Sequence, residues 1–102
     1  NLDAICATPG LDAVYIGPSD LSFALDLKPR PDNPDPIHIA ACDKIRDTAH
    51  RHGIKAVMHC AGAEFAAGAV KRGFDMVMLT SDLLCLIAGA RMQLEILKAE
   101  TE

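Results

Sequence analysis

Gly10-Leu11-Asp12-Ala13-Val14 returns as Gly53-Ile54-Lys55-Ala56-Val57 and again as Gly73-Phe74-Asp75-Met76-Val77. Each copy follows a stretch with helical periodicity and opens a short apolar run. A glycine just past a helix can take the left-handed conformation that closes it, and the residues after it are free to extend. The runs lack strict alternation of apolar and polar residues, which suits strands covered on both faces. Strands are therefore expected at about Leu11–Ile16, Ile54–His59 and Phe74–Leu79.

Helices fill the gaps. One is expected over Asn1 to Ala7. Another has Asp35 as its cap and Pro36 as its first residue, a favoured N-terminal pair. Its apolar stripe would be Ile37, Ala41, Ile45 and Ala49. That leaves His38, His50 and His52 for solvated positions on or beside the same helix. A shorter helix from Ala63 to Arg72 would turn Phe65, Ala66, Ala69 and Val70 inward. A long final helix, capped by Ser81, would bury Leu83, Leu84, Ile87, Leu94 and Leu97. The proline-rich stretch Leu27 to Pro36 reads as a surface loop. The order helix–strand repeated, ending in a helix, is the α/β class with a parallel sheet. Three strands cannot close a barrel, so pattern alone leaves an open doubly wound sheet and a section of a barrel as alternatives.

Composition narrows the function. Of 102 residues half are hydrophobic and only 4% aromatic, which suits helices packed on strands. The formal charge of −4 argues against a non-specific nucleic-acid surface. The longest apolar stretch, Leu83 to Ala90, is too short to span a membrane. Cys6, Cys42, Cys60 and Cys85 show neither a CxxC pair nor a zinc spacing, and read as reduced core or near-core thiols of a cytoplasmic protein. The chain starts at Asn1, inside a helical pattern and without Met. The expectation is that residues 1–102 are the C-terminal segment of a single larger domain.

In either α/β architecture, ligands sit at the carboxyl ends of the strands. Three polar segments fall there: Gly17-Pro18-Ser19-Asp20, His59-Cys60-Ala61-Gly62 and Thr80-Ser81-Asp82. The first is the most informative. Gly17 allows close approach to the backbone and Pro18 stiffens the turn. Ser19 and Asp20 then fall in the first turn of a helix, where free amides point at a bound anion. The Asp20 carboxylate has two uses open to it, capping that helix or holding a hard divalent cation. His59 is either a pocket residue touching the substrate or a hydrogen-bonded strand end. Cys60 beside it points to the opposite face, which speaks against a Cys–His dyad. Asp82 and Glu64 sit in first helical turns, where a carboxylate favours the helix dipole.

Gly17-Pro18-Ser19-Asp20-Leu21-Ser22 resembles the Gly-Pro-x-Asp-Leu-Ser signature of the HpcH/HpaI aldolase family, pyruvate-dependent class II aldolases built on a (β/α)₈ barrel. The resemblance extends through His52-Gly53-Ile54-Lys55-Ala56 and Gly73-Phe74-Asp75-Met76-Val77 to Ser81-Asp82 and the last helix. It implies that Asp20 ligates Mg²⁺, with Mn²⁺ or Co²⁺ as alternatives. The amides of Ser19 and Asp20 would hold the carboxylate of a 2-oxo acid beside Gly17 and Pro18, and His59, as a pocket residue, would touch the aldehyde half. In the family a second metal ligand, an arginine and a catalytic histidine come from upstream, so no general base is assigned here. The implied activity is cleavage of a 2-keto-3-deoxy or 4-hydroxy-2-oxo acid to pyruvate and an aldehyde. The resemblance also implies a trimeric or hexameric homo-oligomer, with Leu83 to Leu97 in an interface. Two other readings stand beside it: a citramalyl- or malyl-CoA-type lyase of the same superfamily, and a non-catalytic receiver-like α/β module.

Overall fold

The computed structural model describes all 102 residues. Its elements alternate: α1 (Leu2–Cys6), β1 (Ala13–Ile16), α2 (Pro18–Ala24), α3 (Pro36–Arg51), β2 (Lys55–His59), α4 (Ala63–Lys71), β3 (Met76–Met78) and α5 (Asp82–Thr101). The strands form one parallel sheet in the order β1-β2-β3. Each is shorter than the expected run, chiefly because its first residues still belong to the turn before it; β3 also stops at Met78. The repeated glycines explain this. Gly53 and Gly73 have φ of +73° and +91°. Around Gly53, Ile54 N donates to Ala49 O at 3.1 Å and Gly53 N to His50 O at 3.0 Å. Around Gly73, Phe74 N donates to Ala69 O at 3.2 Å and Gly73 N to Val70 O at 2.9 Å. Both are Schellman closures, in which a left-handed glycine satisfies the last carbonyls of the helix. The first copy differs: α1 stops at Cys6, and Gly10 closes a separate turn in which Leu11 N donates to Thr8 O.

Register fixes the two faces of the sheet. Tyr15 pairs with Val57 and Ile16 with Met58, while Val57 pairs with Met76 and His59 with Met78. Partners in a parallel pair share a face. Ile16, Ala56, Met58 and Cys60 therefore lie together, and all four are buried in the core with Cys42, Ala49, Ala66 and Ala69 from the covering helices. The opposite face carries Tyr15, Lys55, Val57, His59, Met76 and Met78; Tyr15 and Met76 are exposed. At the amino edge of the sheet, Asp75 ties the strands together. Its Oδ2 accepts from Ala56 N at 2.9 Å and from His50 Nε2 at 2.7 Å, and its Oδ1 accepts from Lys55 Nζ at 3.0 Å. These three donors hold the Asp75 carboxyl far below the usual carboxylate range, the Ala56 amide contributing most.

Four expectations need correction. The buried face of α3 holds Ala49, and Ile45 packs against the core, as expected, but it is widened and shifted at its start: His38, Cys42 and Thr48 are also inside and Ile37 is exposed. The polar members are tolerated because they are bonded, Thr48 Oγ1 to Lys44 O at 2.8 Å and His38 as described below. His50 and His52 do lie at partly solvated positions, but each contacts a carboxylate, Asp75 and Asp3 respectively. On α4, Phe65, Ala66 and Ala69 face inward but Val70 is exposed. The stretch Leu27 to Pro36 is more than a surface loop. Asn33 is buried, and Asp32, at φ +46°, accepts from Ala61 N at 2.8 Å. This lays the loop across the carboxyl ends of β1 and β2. Finally, α5 buries none of its residues; Leu83, Leu84, Ile87, Leu94 and Leu97 are all exposed. Ser81 caps it as expected, accepting from Leu84 N at 3.3 Å. Its apolar side chains are spread around the circumference, and it follows the last strand, so this chain has no layer to cover it.

Candidate active site

The carboxyl end of β1 runs straight into α2. Gly17 is the N-cap and Pro18 the first helical residue, so Ser19 and Asp20 occupy the first turn. Gly17 has no side-chain oxygen to offer, and no side chain caps this helix. The amides of the first turn are therefore open to a ligand. Asp20 does not fold back to cap them. Its carboxylate stands over Gly17, with Oδ2 2.8 Å from where a Cβ on Gly17 would lie. Only glycine leaves room for the carboxylate there.

The turn forms one wall of a cleft of about 370 Å³ lined by Tyr15, Gly17, Pro18, Ser19, Asp20, Pro31 and His59. The structure thus brings Gly17, Pro18, Ser19 and Asp20 together with His59 from β2. Two lining residues escaped the sequence reading. Tyr15 shares a 2.7 Å hydrogen bond between its hydroxyl and His59 Nδ1, with the rings edge to face at 5.8 Å. The hydroxyl also lies 3.5 Å from Met78 Sδ. The signal was available: Tyr15 is two residues before Gly17 and so shares its face of β1. Pro31 reaches the cleft because Asp32 and Asn33 anchor the loop, which no local pattern announced. The other polar strand ends are local in their bonding. Asp82 Oδ1 accepts from Leu83 N at 2.8 Å. Cys60 is buried on the helix side of the sheet and its thiol lies 3.7 Å from Met58 O, on the face away from His59.

No cluster of three or more His, Cys, Asp or Glu side chains forms in this chain. One carboxylate on an open rim fits a hard cation such as Mg²⁺, which is bound by one or two carboxylates and completes its shell with substrate oxygens and water. It would not fit a structural zinc site, which needs four protein ligands.

A parallel sheet with helices packed on one face, and a ligand-ready turn at a strand's carboxyl end, have the form of a section of a (β/α)₈ barrel. The sequence matches the family model described as HpcH/HpaI aldolase/citrate lyase over residues 1–88. The chain belongs to that family. It is 35% identical over 91 residues to a hydroxypyruvate/pyruvate aldolase of Rhizorhabdus wittichii, covering 89% of this chain and 36% of that protein. A protein of the same name from Pseudomonas aeruginosa is 45% identical over 51 residues, covering 50% of this chain and 17% of its own length. The fold is similar to the crystal structure of an HpcH/HpaI aldolase from Desulfitobacterium hafniense, with a TM-score of 0.82 at 28% identity, covering 95% of this chain and 37% of that one. An HpcH/HpaI aldolase/citrate lyase family protein from Burkholderia cenocepacia gives a TM-score of 0.83 at 21% identity, with the same coverage. The chain thus spans about a third of the length of the Rhizorhabdus relative and of these two structures. Membership of a lyase family sets aside the receiver-like module.

Proposed function

We propose that this chain forms the wall that holds pyruvate in a divalent-metal-dependent aldolase. The reaction is cleavage of a 2-keto-3-deoxy or 4-hydroxy-2-oxo acid into pyruvate and an aldehyde. The carrying observation is the Gly17–Asp20 turn, which offers a carboxylate and uncapped amides to one cleft. The open amides of Ser19 and Asp20 receive the carboxylate of the 2-oxo acid, as a helix N-terminus does for anions generally. Asp20 is the residue of this segment that would hold the metal, which when bound supplies Lewis-acid stabilisation of the negative charge growing on the keto oxygen. Fixing the carboxylate on the turn sets the direction of the adjacent keto group, so that the charge develops at one defined place. As the C3–C4 bond breaks, its electron pair passes into the pyruvate part as an enolate, the 4-hydroxyl gives up its proton to solvent and becomes the aldehyde, and C3 takes up a proton from solvent to complete pyruvate. Tyr15 and His59 face the same cleft and offer polar contacts to the far end of the substrate.

The names of the relatives support a pyruvate or hydroxypyruvate nucleophile. The exposed apolar surface of α5 supports a homo-oligomer in which Leu83 to Leu97 are covered, and the trimeric or hexameric form is what the family resemblance implies. No helix is long and apolar enough to cross a membrane, and the free thiols support a cytoplasmic setting. The decisive experiment is Asp20→Ala in the intact enzyme, assayed for aldol cleavage with and without Mg²⁺. Loss of metal-dependent turnover is expected. Unchanged turnover would defeat the proposal.

A further inference from the structure

Below the floor of the cleft, buried side chains converge on one carbonyl. Ser22 Oγ donates to Pro18 O at 2.7 Å, and His38 Nε2 reaches the same oxygen at 3.0 Å. Asn33 Nδ2 donates to Ser22 Oγ at 3.0 Å, and Cys42 Sγ lies 3.6 Å from His38 Nδ1. Ser22, His38 and Cys42 are each 0% exposed, and Asn33 is 3% exposed. A carbonyl oxygen only accepts, so His38 carries a proton on Nε2, and Nδ1 is left to accept from the Cys42 thiol. Burial pushes that thiol up to about 11, which keeps its proton in place for this bond.

A buried histidine that merely pins α3 to α2 would account for the burial. It does not account for the target. The Pro18 carbonyl belongs to the peptide whose nitrogen is that of Ser19, the first open amide of the turn. Two donors on the oxygen draw density from the peptide and strengthen the N–H on its other side, and they fix the plane of the peptide. We infer that His38 is a positioning residue of the aldolase site: through the Pro18 carbonyl it orients and polarises the Ser19 amide that receives the substrate carboxylate. The inference rests on the reading of the turn given under Proposed function. It adds a residue that contacts neither substrate nor metal.

The test uses the intact enzyme and two ligands, pyruvate and Mg²⁺ alone, each titrated by calorimetry. His38→Leu should weaken pyruvate binding in saturating Mg²⁺ by roughly tenfold, the scale of a hydrogen bond to a charged group. Mg²⁺ binding without pyruvate should stay within about twofold, since the Asp20 side chain is not in the network. His38→Gln, which keeps a donor near the Nε2 position, should recover most of the pyruvate affinity. Equal losses in the Leu and Gln variants, or parallel losses for pyruvate and Mg²⁺, would show packing alone and overturn the role. If His38→Leu does not fold, Ser22→Ala removes the other donor to the same oxygen. Weaker pyruvate binding there supports the inference, and unchanged binding overturns it. Asp20→Ala run alongside separates the two claims. Mg²⁺ binding retained in that variant would sink the site reading and this inference with it. Mg²⁺ binding lost there, with pyruvate affinity intact in His38→Leu, would sink this inference alone.

Discussion

Adding one methyl group at Gly17 would probe the site with little disturbance of the fold. Gly17 has φ −87° and ψ 109°, a conformation open to any residue, so alanine meets no backbone strain. The new Cβ would lie 2.8 Å from Asp20 Oδ2. Carbon and oxygen settle at about 3.3 Å or more, so the carboxylate must swing by at least roughly 0.5 Å. The carboxylate is the end of a mobile side chain, so it can yield without moving the helix. The cost in stability is limited to the poorer N-cap preference of alanine, about 1 kcal/mol or less. The cost in function is larger. With Asp20 holding the metal as proposed, disturbing the surroundings that orient it should cost about 10- to 100-fold in Mg²⁺ affinity, or about 1.4 to 2.7 kcal/mol. The assay is Mg²⁺ titration of intact Gly17→Ala by calorimetry, paired with a thermal melt. A melting temperature within a few degrees of the parent and a clear loss of Mg²⁺ affinity are expected. Unchanged Mg²⁺ affinity in the folded variant would refute the argument that Gly17 keeps the carboxylate in place.

Two further predictions concern protonation. The Asp75 carboxyl is depressed in the folded chain by the Ala56 amide, His50 and Lys55, so its contribution to stability is complete above its unfolded value near 3.9 and fades as pH falls below that. Asp75→Asn should therefore destabilise at neutral pH, with the gap to the parent narrowing in acid. Denaturant melts at stepped pH check this, and a gap that does not change with pH would contradict it. Cysteine accessibility should also be uneven. Cys85 is exposed while Cys6, Cys42 and Cys60 are buried, and burial raises the Cys42 and Cys60 thiols. Brief alkylation of this chain at pH 8, mapped by mass spectrometry, should label Cys85 first; early labelling of Cys42 would contradict the packing.

The fold was legible because its punctuation is chemical. Gly53 and Gly73 end helices in a conformation that other residues adopt at a cost, and Asp35 caps α3 as its side chain allows, accepting from Ile37 N at 2.8 Å. The turn Gly17 to Asp20 and the strand end His59 were placed at one edge from sequence, and they do line one cleft, since parallel strands bring their carboxyl ends to the same side. What escaped reading was polarity inside the core. His38 was assigned to solvent because histidine is polar, whereas its burial depends on a partner twenty residues earlier, the Pro18 carbonyl. Asn33 was lost for the same reason, its bond to Ser22 crossing from loop to helix. The residue pattern predicted burial of α5 without saying which molecule supplies the cover, and only the family resemblance pointed to an interface for Leu83 to Leu97.

The Schellman glycines and the Asp75 bonds all gather where the strands begin, while the open turn, Tyr15 and His59 gather where they end. Mechanical anchoring and chemistry are thereby segregated along the strand axis. An evolving descendant could exchange its rim residues, and with them the ligand it accepts, without loosening the turns that brace the sheet from below.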